Sequence, residues 1–129
     1  MPQPSATLAK LPTILLVDDD ADILASLSDR LISEGFHIVT AHDGREALRC
    51  IEMAMPSLIL LDLQMPVMDG AETLRAIRAT HPSLPVILMT GADLADSSAR
   101  AVALEASDYL PKPIDWQLLK RKLASALGE

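Results

Sequence analysis

Leu58-Ile59-Leu60-Leu61-Asp62-Leu63-Gln64-Met65-Pro66-Val67-Met68-Asp69-Gly70 runs four apolar residues straight into a carboxylate, with no alternation of apolar and polar positions. Such a run suits a strand buried on both faces of a parallel sheet. Asp62 then falls where the strand stops, and Pro66 and Gly70 mark an irregular loop beyond it. In open parallel sheets the rim at the carboxyl ends of the strands is where ligands bind. A lone acid there could simply cap a turn, so the reading depends on how the other strands end.

Thr13-Ile14-Leu15-Leu16-Val17 is a second uniformly apolar run, and it ends in Asp18-Asp19-Asp20. Phe36 to Thr40 reads as a weaker strand with no terminal acid, suited to a sheet edge. Pro85 to Thr90 is a fourth strand with Gly91 directly after it, and Ser107 to Leu110 is a short fifth that meets Pro111-Lys112-Pro113. Between them, helical spacing covers Ala21 to Ser33, a segment opened by Asp43-Gly44, one capped by Asp69, Asp93 to Ala106, and a last helix from Asp115. Gly35 is placed to cap the first helix in left-handed geometry.

Five strands alternating with five helices predict a parallel sheet wound on both faces through right-handed crossovers. The expected class is α/β, flavodoxin-like, with strand order 2-1-3-4-5. That order puts the crevice between strands one and three, whose ends carry Asp18, Asp19 and Asp62.

The chain has 129 residues, half of them hydrophobic, which is enough for one domain with its own core. Residues 1–11, containing Pro2, Pro4, Ser5 and Thr7, read as a disordered leader, and 12–128 as the folded domain. A single cysteine, Cys50, excludes an internal disulfide framework and fits a reducing, cytoplasmic setting. No apolar run approaches the roughly 18 residues of a membrane span. A net charge of −7 with one Trp, one Tyr and one Phe argues against direct nucleic-acid binding, which needs a cationic face or stacking rings.

Three carboxylates at one crevice repel. At about 5 Å and an effective dielectric of about 20, each pair costs roughly 3 kcal/mol. A cation relieves this, and few protein oxygens with room for water and phosphate favour Mg²⁺ over Ca²⁺. Because adjacent strand residues point oppositely, Asp19 is expected to bind directly and Asp18 through water or a hydrogen bond. Asp20 and Asp22 have a sufficient role in capping and charging the helix start. Thr90 and Lys112 end the neighbouring strands. Together the set suits a phosphoryl group landing on Asp62 as nucleophile, its oxygens shared among the cation, Lys112 and Thr90.

The motifs Ile-Leu-Leu-Val-Asp-Asp-Asp at 14–20, Leu-Leu-Asp-Leu-Gln-Met-Pro-Val-Met-Asp-Gly at 60–70, Met-Thr-Gly at 89–91 and Asp-Tyr-Leu-Pro-Lys-Pro at 108–113 resemble the receiver domains of two-component response regulators. The resemblance implies that Asp62 accepts a phosphoryl group from the phosphohistidine of a sensor histidine kinase or phosphotransfer protein. It makes Asp18 and Asp19 the acidic pair holding Mg²⁺, with the backbone carbonyl of Gln64 as a further ligand. Thr90 and Tyr109 become the switch pair, Lys112 the phosphoryl-pairing lysine, and Lys112–Pro113 a cis peptide. The face made by helix four, strand five and helix five would then signal to an output domain or effector, and is a candidate homodimer surface. On this reading the chain modifies itself and is not an enzyme turning over an external substrate.

One departure stands out: Glu105 occupies a place where the family commonly has glycine, so the end of helix four is expected to differ. His37, His42 and His81 read as structural or solvent-facing, Cys50 as a buried inert thiol, and Trp116 as partly packed. The rival reading is a Mg²⁺-dependent aspartyl-phosphate phosphatase of haloacid-dehalogenase type, which would place its nucleophile in the acidic turn after strand one.

Overall fold

The computed structural model describes residues 11–63, 69–91 and 105–128. Its strands are β1 (Thr13–Val17), β2 (His37–Ala41), β3 (Leu58–Asp62), β4 (Val86–Thr90) and β5 (Asp108–Pro111). The described helices are α1 (Ala21–Ser33), α2 (Gly44–Met53), α3 (Gly70–Thr80) and α4 (Trp116–Ala126). All strand pairs are parallel, in the order β2-β1-β3-β4-β5 expected from the sequence. Of the five expected helices, the one placed at Asp93 to Ala106 lies outside the described residues up to 104; Glu105 and Ala106 form a turn. The leader expected over 1–11 likewise falls outside them, apart from an exposed Leu11.

The uniform apolarity of β1, β3 and β4 has a direct structural cause. Alternate residues feed two separate cores, one on each face of the sheet. Leu15, Val17, Ile59, Leu61, Val86 and Leu88 pack with Ala47 and Ile51 of α2 and Leu74 and Ile77 of α3. Ile14, Leu16, Leu58, Leu60, Ile87 and Met89 pack on the other face with Leu24, Leu27 and Leu31 of α1 and Leu119 and Leu123 of α4. Truncating one of these fully buried leucines to alanine should cost about 2–5 kcal/mol.

Local signals set the helix ends. Asp20, Asp43, Asp69 and Asp115 each accept backbone N–H bonds as N-caps of the four described helices. At the end of α1, Gly35 takes φ +97°, its N–H donating to Ile32 O while Phe36 N–H donates to Leu31 O. This is a Schellman motif, and it turns the chain into β2.

Candidate functional site

Backbone bonds that continue past the strands aim each site residue. Asp18 N–H donates to Ala41 O at 3.2 Å, Leu63 N–H to Met89 O at 2.9 Å, and Lys112 N–H to Thr90 O at 2.8 Å. The ends of β1, β3, β4 and β5 are therefore held at one rim. There the carboxylates of Asp18, Asp19 and Asp62 lie with ligand oxygens within 4.8 Å of one another. Lys112 Nζ is 3.0 Å from Asp62 Oδ1 and 3.8 Å from Asp18 Oδ2. Side chains far apart in sequence thus converge as the strand endings required.

Burial separates the members. Asp18, Asp62 and Thr90 are at most 1% exposed, whereas Asp19 faces solvent. Asp18 Oδ1 accepts the Asp20 N–H at 3.0 Å, while its buried Oδ2 has no hydrogen-bond partner. Loss of solvent, reinforced by the neighbouring Asp62 charge, pushes the Asp18 carboxyl up to about 6, against the opposing pull of the Asp20 N–H and Lys112. An orphaned buried carboxylate oxygen facing two other carboxylates fits a hard divalent cation, which prefers oxygen ligands. β1 ends at Val17, so both acids lie beyond the strand, and they differ in burial and hydrogen bonding.

Two backbone contacts support the site. Gly70, directly after the Asp69 cap, is the first residue of α3, and a Cβ there would stand 2.5 Å from both Asp62 O and Leu63 Cα. Its N–H donates to Leu63 O at 3.0 Å. The helix start is thus pressed against the residue bearing the central carboxylate, and only glycine allows the approach.

Arg78, on α3, donates to Leu84 O at 2.7 Å, Glu105 O at 2.8 Å and His81 O at 3.3 Å. Ser107, expected inside the fifth strand, precedes it and pairs with Val86 through both its N–H and its Oγ. Arg78 therefore fastens the turn at Glu105, where the family commonly has glycine, to the segment that starts β4. Burial lowers the Arg78 pKa, and the nearby Glu105 charge works against that shift.

The remaining expected site residues divide simply. Tyr109 lies on β5 and is 42% exposed. The Lys112–Pro113 peptide is cis. Gln64 falls outside the described residues. His42 follows β2 on the rim side of the sheet, but its imidazole lies 3.5 Å from Glu46; His81 Nδ1 instead pairs with Thr80 Oγ1. Cys50 is partly buried against the α2–α3 core, and burial raises its thiol pKa. Trp116 packs against the opposite core with the Arg30 guanidinium 5.1 Å from its ring centroid.

Comparison with known proteins gives this geometry a family. The model of the response regulator receiver domain matches residues 14–124. The chain belongs to the response regulator receiver domains. It is similar to the transcriptional regulatory protein PrrA of Mycobacterium tuberculosis, with 42% identity over 102 residues, covering 79% of this chain and 44% of PrrA. It is also similar to the transcriptional regulatory protein CpxR of Escherichia coli K12, with 40% identity over 114 residues, covering 88% of this chain and 48% of CpxR. The chain therefore spans about half the length of these curated relatives. Among solved structures, the chemotaxis protein CheY4 of Vibrio cholerae superposes with a TM-score of 0.82 at 31% identity, covering 91% of this chain and 99% of CheY4. These matches give no support to a phosphatase of haloacid-dehalogenase type. No helix among the described residues is long and apolar enough to cross a membrane.

Proposed function

We propose that this receiver domain takes a phosphoryl group onto Asp62 from the phosphohistidine of a sensor histidine kinase or phosphotransfer protein. The observation that carries this reading is the buried Asp62 carboxylate, 3.0 Å from the Lys112 ammonium and grouped with Asp18 and Asp19. In the transfer an Asp62 oxygen forms a bond to phosphorus as the phosphorus–nitrogen bond breaks, and the released imidazole nitrogen keeps the electron pair and takes up a proton. Lys112 and the Thr90 hydroxyl stabilise the oxygens of the transferring group, whose charge must be matched in a site largely shielded from water.

Asp18, Asp19 and Asp62, with the Gln64 carbonyl expected beside them, would hold Mg²⁺. When bound, that ion would neutralise the carboxylates and draw charge from the phosphoryl oxygens. The domain chemistry is then self-modification and self-hydrolysis on Asp62, with no external substrate turned over. A groove of about 740 Å³ opens beside Lys112 between α1 and the loop into α4, and gives an incoming donor a footing next to the rim.

Phosphorylation would favour a state in which Thr90 moves toward the new oxygens and Tyr109 swings inward. The face carrying β5 and α4 then changes shape for an output domain, an effector or a second copy. A cytoplasmic location, where kinases draw on ATP, goes with this role. The proposal is tested by treating the protein with phosphoramidate and Mg²⁺, then reducing the acyl phosphate with borohydride and sequencing. Conversion of residue 62 to homoserine supports it; label at Asp18 or Asp19 overturns it.

A further inference from the structure

At the β5 edge of the sheet, Lys122 makes a pair of contacts that the site chemistry does not use. On α4, Leu119 and Leu123 turn into the core, while the neighbouring Lys122 is drawn along the sheet edge and keeps only 21% of its side chain exposed. Its ammonium lies 2.7 Å from Asp108 Oδ1 and 5.6 Å from the centroid of the Tyr109 ring. Asp108 and Tyr109 are consecutive on β5, the edge strand, so their side chains leave opposite faces. Leu110 packs into the α4-side core, which places Asp108 on the α4 side and Tyr109 on the other. For one ammonium to meet both, the tyrosine ring must lean out over the edge. Its 42% exposure agrees with that arrangement.

We propose that Lys122 is a positioning residue for the switch: tethered by Asp108, it holds the Tyr109 ring outward and so sets how rarely the unphosphorylated domain visits the inward state. The inference rests on Tyr109 being the ring that moves when Asp62 is phosphorylated. A contact made in one state and lost in the other shifts the equilibrium by its full worth. A cation over an exposed aromatic face corresponds to about a two- to fivefold change in population. An ordinary surface ion pair between Lys122 and Asp108 would leave the ring's equilibrium untouched.

Tyr109 is the only tyrosine in the chain, so fluorotyrosine labelling gives a single fluorine NMR resonance for it. Before any phosphorylation, Lys122→Met should move that resonance toward the position seen in phosphoramidate-treated wild type, by about a two- to fivefold change in population. The rate of phosphoramidate labelling should rise by a similar factor. Lys122→Arg, which keeps a cation over the ring, should match wild type, and Asp108→Asn, which frees the lysine, should shift in the same direction as Lys122→Met. Superimposable resonances for untreated wild type, Lys122→Met and Asp108→Asn, with all three still labelling and responding, overturn this inference while leaving the Asp62 reading intact. Failure of wild type to label at all overturns the Asp62 reading itself.

Discussion

Gly70 is packed so closely against Asp62 that a β-carbon at residue 70 would lie 2.5 Å from the Asp62 carbonyl oxygen. The obstructing atoms are backbone and cannot rotate away, so the start of α3 or the end of β3 must shift. Gly70→Ala should therefore destabilise the fold by about 1–3 kcal/mol and slow phosphoryl uptake, because the shift falls on the proposed acceptor residue. Urea denaturation checks the first effect; unchanged stability would show that the contact is not tight in solution.

Asp18 gives a pH dependence of definite sign. Burial raises its folded pKa above the ordinary carboxylate range to about 6, so the folded state holds its proton more tightly. The resulting stabilisation is fully present below the unfolded pKa and is lost as pH rises through about 6. Without divalent cations, wild type should lose about 1–3 kcal/mol relative to Asp18→Asn between roughly pH 4 and pH 7. Millimolar Mg²⁺ at neutral pH should restore wild type and have much less effect on Asp18→Asn. Thermal melts of the two proteins with and without Mg²⁺ measure both differences, and parallel pH profiles would contradict the assignment.

Arg78 holds three carbonyls, those of His81, Leu84 and Glu105. Arg78→Ala should cost about 2–3 kcal/mol, since partly buried acceptors lose a charged donor. It should also speed amide exchange at Ser107, whose N–H pairs with Val86 O. Exchange at Ser107 equal to wild type would mean that the turn stands without the guanidinium.

Lys112 should have opposite effects on metal and phosphate. Its ammonium lies 3.0 Å from Asp62 and 3.8 Å from Asp18, where it would repel a divalent cation held by those carboxylates. Lys112→Met should bind Mg²⁺ more tightly yet take up phosphoryl groups about 10²-fold more slowly, for want of transition-state stabilisation. Calorimetry and labelling kinetics give the two readings, and a parallel loss of both would indicate disruption of the site.

Much of this site is legible in the sequence because its residues announce themselves by position. Asp18, Asp62 and Thr90 each follow an apolar run, Lys112 follows the short fifth strand, and strand order brings those ends together. Alternation along a strand does not reach Asp18 and Asp19, because β1 ends at Val17; that Asp18 is buried and Asp19 exposed appears only in the folded chain. Gly70 and Arg78 escape such a reading because what they touch is backbone. A carbonyl oxygen carries no residue identity, so the need for glycine at 70 or arginine at 78 appears only once the chain has folded back on itself. The Lys122–Tyr109 contact is hidden for a related reason: it depends on a helix side chain reaching an edge strand thirteen positions earlier. Glu105 shows the reverse case: the departure from glycine is plain in the sequence, whereas the arginine that steadies its turn is visible only in the fold.

The role proposed for Asp62 is to accept a phosphoryl group within a cluster that a divalent cation would complete. Intact mass spectrometry after phosphoramidate treatment tests it most directly, using wild type and Asp62→Asn with Mg²⁺ or with EDTA. The account predicts the mass of one added phosphoryl group for wild type in Mg²⁺ and essentially none in the other three samples. An equal gain on Asp62→Asn, or full labelling of wild type in EDTA, would contradict it.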